Sequence, residues 1–243
     1  MSMSADKLNL THHISQRFNE ELESVRQRVL AMGGLVEQQM SDALRALTEG
    51  DSELGRSIRE QDYKVNQMEV AIDEECTRIL ARRQPAASDL RLILAIIKTI
   101  TDLERVGDEA EKIGRLAARL AEGGRPGDRY GSLQYLGSHV QRMLHDALDA
   151  FARMDPEAAV RVAREDARVD DEYEALSRQS ITYMMEDPRS IREALDVMWS
   201  ARALERIGDH ATNICEYVVY LVQGKDVRHT GFDAMEREVH PQS

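Results

Sequence analysis

The two halves of the chain carry the same residues in the same order. Gly33, Val36, Asp42, Ala43, Leu44 and Ala46 recur as Gly137, Val140, Asp146, Ala147, Leu148 and Ala150, each 104 positions later. The same offset carries Asp62 and Val65 onto Asp166 and Val169. Further along, the offset falls to 101, because the turn at Pro85 is longer than the turn at Pro188, and Leu103-Glu104-Arg105-Val106-Gly107-Asp108 lands on Leu204-Glu205-Arg206-Ile207-Gly208-Asp209. A repeat unit of this size, built from three long helices, can bury one stripe from each helix in a common seam.

Proline says what that unit is made of. Pro85, Pro126, Pro156, Pro188 and Pro241 all stand where helices should stop, and the long segments between them are rich in Ala, Leu, Glu, Arg and Met, all good helix formers. Thr48-Glu49-Gly50-Asp51 and Met154-Asp155-Pro156-Glu157 read as helix–helix turns with Asp51 and Asp155 as N-caps. Six helices are expected, near residues 8–49, 52–83, 87–121, 129–154, 157–185 and 189–223. No stretch alternates with period two for long enough to require a strand. The first helix alone, at 1.5 Å per residue, would be on the order of 60 Å long. The fold class is all-α: two tandem, pseudo-symmetric three-helix bundles spanning 1–122 and 128–224, followed by a C-terminal tail at 225–243. The breaker cluster Glu122-Gly123-Gly124-Arg125-Pro126-Gly127-Asp128 separates them.

Charge and composition narrow the function. With 32 Lys and Arg against 44 Asp and Glu, the formal charge is −12, a balance that repels phosphate backbones and anionic lipid, so nucleic acid is not an expected ligand. The longest apolar runs, Leu92 to Ile97 and Tyr217 to Val222, fall far short of the ~20 residues that cross a bilayer, so direct membrane insertion is not expected. The opening residues Met1 to Lys7 hold no apolar run of the secretory kind, and the chain reads as cytoplasmic. Cys76 and Cys215 are too few and too far apart for a redox or zinc motif and read as small core residues.

One feature resists a simple core. Following the third helix at 100° per residue, the stripe that begins with Ile93, Ile97 and Ile100 continues into Glu104, Gly107, Asp108 and Glu111. The sixth helix repeats this, with Met198 and Ala201 leading into Glu205, Gly208 and Asp209. Asp62 and Asp166 lie on the flank of their helices beside Val65 and Val169, where a solvated position is the simpler reading. An ionised carboxylate buried without a partner costs several kcal/mol. A cation, the neighbouring Arg105 and Arg206, or exposure must compensate. Oxygen-only donors suit Mg, Mn, Fe or Zn ions, which makes Glu104, Asp108, Glu205 and Asp209 candidate metal ligands. Asp62, Asp166, Glu111, Arg105 and Arg206 are candidate additional ligands or supporting groups. A helix-interior glycine costs ~1 kcal/mol relative to alanine, so Gly107 and Gly208 imply close approach of a neighbour. His210 corresponds to Glu109 and is expected at the surface.

These residues carry a resemblance. The duplicated Leu-Glu-Arg-(Val/Ile)-Gly-Asp, the turn Gln84-Pro85-Ala86-Ala87-Ser88-Asp89-Leu90-Arg91, the segment Asp209-His210-Ala211-Thr212-Asn213-Ile214-Cys215-Glu216 and the closing Gly224-Lys225-Asp226-Val227-Arg228-His229 all resemble the PhoU family. The likeness runs from Phe18 to His229. It implies a non-enzymatic negative regulator of the phosphate-starvation (Pho) regulon that also modulates phosphate uptake. The implied partners are a PhoR-type histidine kinase and the PstB-type ATPase of the phosphate ABC transporter, met at the inner face of the cytoplasmic membrane. A homodimer and metal ions at the duplicated acidic motifs are implied too. Because Asp102 corresponds to Ala203 and Glu111 to Thr212, the second site is expected to be poorer in carboxylates. A carboxylate-bridged di-iron bundle enzyme is the rival reading, disfavoured because no Glu-x-x-His pair occurs in the chain. A metal-free helical scaffold is the third.

Overall fold

The computed structural model describes residues 3–123, 130–228 and 230–240, with side chains from residue 16 onwards. Helix α1 (Met3–Glu49), α2 (Ser52–Arg82) and α3 (Ala87–Glu122) form the first unit. The second comprises α4 (Gly131–Arg153), α5 (Pro156–Ala163), α6 (Asp166–Glu186) and α7 (Ile191–Gln223), and α8 (Phe232–Val239) follows. Among the described residues there is no strand. At 47 residues α1 is about 70 Å long. The breaker cluster from Gly124 to Asp128, His229 and Pro241 lie outside the described residues.

Local chemistry sets the turns. The Asp51 carboxylate accepts from the amides of Glu53 and Leu54 at 3.0 and 2.9 Å, and Asp155 accepts from Ala158 at 3.0 Å with Pro156 in the first turn. Each satisfies amides that the helix start would otherwise leave unpaired. Gly224, at φ 75°, ends α7 in the left-handed conformation.

The structure departs from six helices in two places. The fifth expected helix, 157–185, is interrupted at Arg164-Glu165 without proline or glycine, giving α5 and α6. Both residues of the break are held from outside the helix. Arg164 pairs with Glu236 and lies over the Phe232 ring of α8, 5.2 Å from its centroid, while Glu165 is held by His139 of α4. The segment read as a tail contains α8, which packs on α5 and α7 and buries Met235.

The bundles meet along two seams, α1 on α4 and α3 on α7. In the first, the repeat residues fit each other reciprocally. A Cβ built on Gly137 would stand 2.4 Å from Leu44 Cδ2, and one on Gly33 would stand 2.9 Å from Leu148 Cδ2. Gly33 and Leu44 thus do for one half what Gly137 and Leu148 do for the other. The second seam is polar. Asp102, 2% exposed, accepts from His210 Nδ1 at 2.7 Å, Asn213 Nδ2 at 3.0 Å and Tyr217 OH at 2.7 Å. Arg206 crosses to Glu109, which Lys112 also contacts at 3.1 Å. His210 is therefore buried between the bundles rather than at the surface: its ring satisfies a carboxylate that the other half places opposite. Cys76 and Cys215 are buried in the core, and burial pushes the Cys76 thiol up to about 12.

Candidate functional site

On each of α3 and α7 the acidic motif lies at the edge of its bundle's core. The α3 core stripe runs through Ile93, Ile96, Ile100, Leu103, Gly107, Ala110 and Ile113. Glu104 and Glu111 are half-buried beside it, and Asp108 is exposed. On α7, Glu205 is buried and Asp209 exposed. The expectation that the whole acidic stripe faces inward is thus corrected. The apolar stripe drifts around a long straight helix, and the carboxylates occupy the flank facing α2 in one half and α6 in the other.

What approaches the glycines is now visible. A Cβ at Gly107 would stand 3.2 Å from Asp62 Oδ1, 3.2 Å from Gln39 Oε1 and 3.4 Å from Val65 Cγ1. Gln39, wholly buried, donates from Nε2 to the Gly107 carbonyl at 3.2 Å and to Asp62 at 3.3 Å. Its Oε1 has no partner among the described residues. At Gly208 the near neighbours are Val169 Cγ1 at 3.3 Å and Met143 Sδ at 3.9 Å.

The electrostatics assemble two four-carboxylate faces. In the first, burial together with the charges of Asp108, Glu69 and Asp62 pushes Glu104 above its ordinary value, against the pull of Arg105. Asp108 is pushed up by burial, Asp62 and Glu109. Glu69 is pushed up by burial, Asp73 and Asp108. In the second, Glu205 is pushed up by burial, then by Asp209, Asp170 and Asp166, with Arg202 opposing. Asp209 is raised by burial and Asp170, and Asp166 by burial, Asp209 and Asp170, while the Thr212 hydroxyl donates to Asp166 at 3.1 Å. Asp62 and Asp166 are therefore members of these faces rather than solvated flanks. Each face draws two acids from the second helix of its half and two from the third: Asp62, Glu69, Glu104 and Asp108, then Asp166, Asp170, Glu205 and Asp209.

Glu69 and Asp170 were missed in the sequence because they do not repeat: 104 positions on from Glu69 stands Tyr173, and 104 before Asp170 stands Asn66. Their helical spacing from Asp62 and Asp166, seven and four residues, was the available signal. The second face is not the poorer one. Asp102 belongs to the inter-bundle seam, and Glu111 pairs with Arg115 at 3.7 Å, so neither adds to the first face. Of the two arginines, Arg105 eases Glu104 and Glu69, whereas Arg206 is engaged across the seam with Glu109.

Carboxylate oxygens gathered on one face form a donor set suited in charge and chemistry to a hard cation. Glu205 Oε2 is buried and, among the described residues, has no partner. The side chains as they stand do not close around one point: among the described residues, no three of His, Cys, Asp or Glu are grouped to hold an ion. No helix of the described residues is long and apolar enough to cross a membrane.

Two repeated helical bundles, joined along two seams and bearing one acidic face each, define an all-α tandem-repeat protein. The PhoU domain model matches residues 29–117 and again 133–218, and the chain belongs to the PhoU family. The phosphate-specific transport system accessory protein PhoU homolog of Pseudomonas aeruginosa is 57% identical over 234 residues, covering 96% of this chain and 97% of that protein. The phosphate-specific transport system accessory protein PhoU of Escherichia coli K12 is 54% identical over 233 residues, 96% of each. The crystal structure of PhoU from P. aeruginosa superposes with a TM-score of 0.83, covering 86% of this chain and 100% of that one. That of the phosphate transport system regulatory protein PhoU from Streptococcus pneumoniae, 35% identical, gives 0.79 over 86% of this chain and 99% of that one.

Proposed function

We infer that this chain is an accessory regulator of phosphate uptake that acts by docking rather than by catalysis. In this reading it represses the Pho regulon when phosphate is plentiful, as an adaptor between the phosphate ABC importer, through its PstB-type ATPase, and a PhoR-type histidine kinase. The observation that carries it is identity above 50% along nearly the whole length of proteins named as accessory to phosphate-specific transport. Two partners at the inner face of the cytoplasmic membrane would bring the chain there. Long helices offer extended faces to such partners, and a difference in affinity for two partner states is enough to bias a switch. A homodimer is the proposed assembly.

The acidic faces give this adaptor its metal-dependent element. Asp62, Glu69, Glu104 and Asp108 would hold a hard divalent or trivalent cation in the first half, and Asp166, Asp170, Glu205 and Asp209 in the second. The ion would supply positive charge against the mutual repulsion of the carboxylates and pin α2 to α3 in the first half and α6 to α7 in the second.

The test replaces Glu104, Asp108, Glu205 and Asp209 by Ala at the native locus and reads a phosphate-responsive reporter in phosphate-replete cells. Derepression together with lost metal content supports the whole reading. Unchanged repression in the variant removes the acidic faces from it. Unchanged repression on deleting the entire chain overturns the regulatory role.

A further inference from the structure

Between α4 and α5 a cleft of about 430 Å³ opens to solvent. Its origin lies in a difference between the halves. In the first half the corresponding seam is bridged by Gln61 Nε2, which donates to Asp42 at 2.9 Å; along α1 the same carboxylate is also met by Gln38 at 3.2 Å and Arg45 at 3.1 Å. In the second half Asp42 becomes Asp146 and Gln61 becomes Glu165. Two carboxylates cannot share that hydrogen bond, and Glu165 turns instead to His139 at 3.3 Å and Arg168 at 2.8 Å. The seam stays open.

The same comparison shows what lines it. Gln38, Ser57 and Glu49 of the first half are replaced by Arg142, Arg161 and Arg153, and all three guanidinium groups line the cleft. Arg153 is neutralised by Asp149. Arg142 and Arg161 have no carboxylate within ion-pair distance among the described residues, and Asp146 has no cation within that distance. Met143 and Val162 form an apolar floor. The lining sets Arg142, Arg153 and Arg161 against Asp146, Asp149 and Glu165, so the cleft is balanced in charge within a chain of net charge −12, and Arg142 and Arg161 are the cations in it that no carboxylate engages.

The geometry points to a binding site for a hydroxylated phosphomonoester, in the class of sugar phosphates and mononucleotides. Two guanidinium forks match a dianionic phosphoryl group bidentately, which a monoanion would leave half-neutralised. Asp146 accepts from hydroxyl groups of the organic body, and the Met143–Val162 floor takes its apolar face. The cleft's volume falls within the range of small-molecule pockets and exceeds what orthophosphate alone would fill. This site is independent of the metal-bearing faces and of the adaptor reading.

The test is calorimetric titration of the full chain at low ionic strength with AMP, ribose 5-phosphate and inorganic phosphate. Wild type, Arg142→Gln, Arg161→Ser and the control Arg115→Gln are compared. The first two variants install the residues of the first half at exposed positions, and melting curves check that each folds. Expected is saturable binding of AMP or ribose 5-phosphate, weakened at least tenfold in R142Q and in R161S and unchanged in R115Q. No saturable binding of any probe overturns the proposal, as does equal affinity in R142Q and R161S, or equal loss in R115Q. Orthophosphate binding as tightly as the esters overturns the part given to Asp146 and the apolar floor.

Discussion

Replacing Asp102 by alanine should be among the most damaging single changes in this chain. Its carboxylate is 2% exposed and accepts three hydrogen bonds from the opposite bundle. Burial alone would raise its pKa, but the bonds from His210, Tyr217 and Asn213 outweigh that and hold it below its ordinary value. Removing one member of a buried charged network strands the others, at a cost of about 3–5 kcal/mol. Here the stranded groups include the buried His210 ring and Tyr217 hydroxyl. For a chain of this size that loss lowers Tm by roughly 6–20 °C. Trp199, the single tryptophan, sits on α7 and reports the unfolding by fluorescence in urea. The pH dependence has a fixed sign. A carboxyl with a depressed folded pKa contributes stability above its unfolded value of 3.8 and loses it as pH falls through the folded pKa. The gap between wild type and D102A should therefore be full at neutral pH and shrink below 3.8. A D102A/H210A cycle should show coupling well above 0.5 kcal/mol. A destabilisation under about 1 kcal/mol at pH 7, or additive single and double variants, would refute the reasoning, because the network would then be solvated or dispensable.

The acidic faces predict the opposite pH sign. Glu104, Asp108, Glu205 and Asp209 have raised folded pKa values, so metal-free protein should gain stability as pH falls from neutral towards the ordinary values of 4.5 and 3.8, and E104Q/D108N should melt higher than wild type at pH 7. Adding Mn or Mg ions should stabilise the wild type, by about 2.7 kcal/mol at a hundredfold excess over Kd, and so raise its melting point while leaving the four-carboxylate variant unmoved; a shift of equal size in both would place the ions elsewhere. Glu216 is pushed up to about 7 by burial against the pull of Arg228. E216Q should therefore gain on wild type as pH rises from 6 to 8, by about 1 kcal/mol after allowance for its partial exposure, measured by melts across that range. Gly137→Ala places a Cβ 2.4 Å from Leu44 Cδ2 and should cost about 1–3 kcal/mol in urea unfolding, with part of the loss recovered in G137A/L44A; equal losses in the two would mean the helices shift apart instead.

The fold was legible because helix-forming segments are separated by local stop signals, Asp caps at Asp51 and Asp155 and a proline at Pro85, and because the repeat identifies which segments correspond. The break at Arg164-Glu165 was not, since the residues that hold it, His139 and Glu236, come from elsewhere in the chain. The candidate site was half legible for a related reason. Reading one apolar stripe per helix assumes one buried face, which suits α2 and α6. Helices α3 and α7 are each buried twice, by their own bundle and by the other. The second stripe of α3, Ala95, Thr99, Asp102, Val106 and Glu109, is spaced four, three, four and three, and α7 answers with Ala203, His210 and Tyr217 at intervals of seven. That is coiled-coil spacing carried by small and polar residues. Positions that face the core of their own half meet equivalent surroundings in each copy and can stay alike, as Leu103 and Leu204 do. Positions on the seam meet the other half, where identical charges would repel. Glu109 and His210 are equivalent by repeat, and one needs the cation of Arg206 while the other needs the anion of Asp102. Divergence between the copies at Asp102, Glu109 and His210 therefore marks the contact between them rather than a difference between two sites.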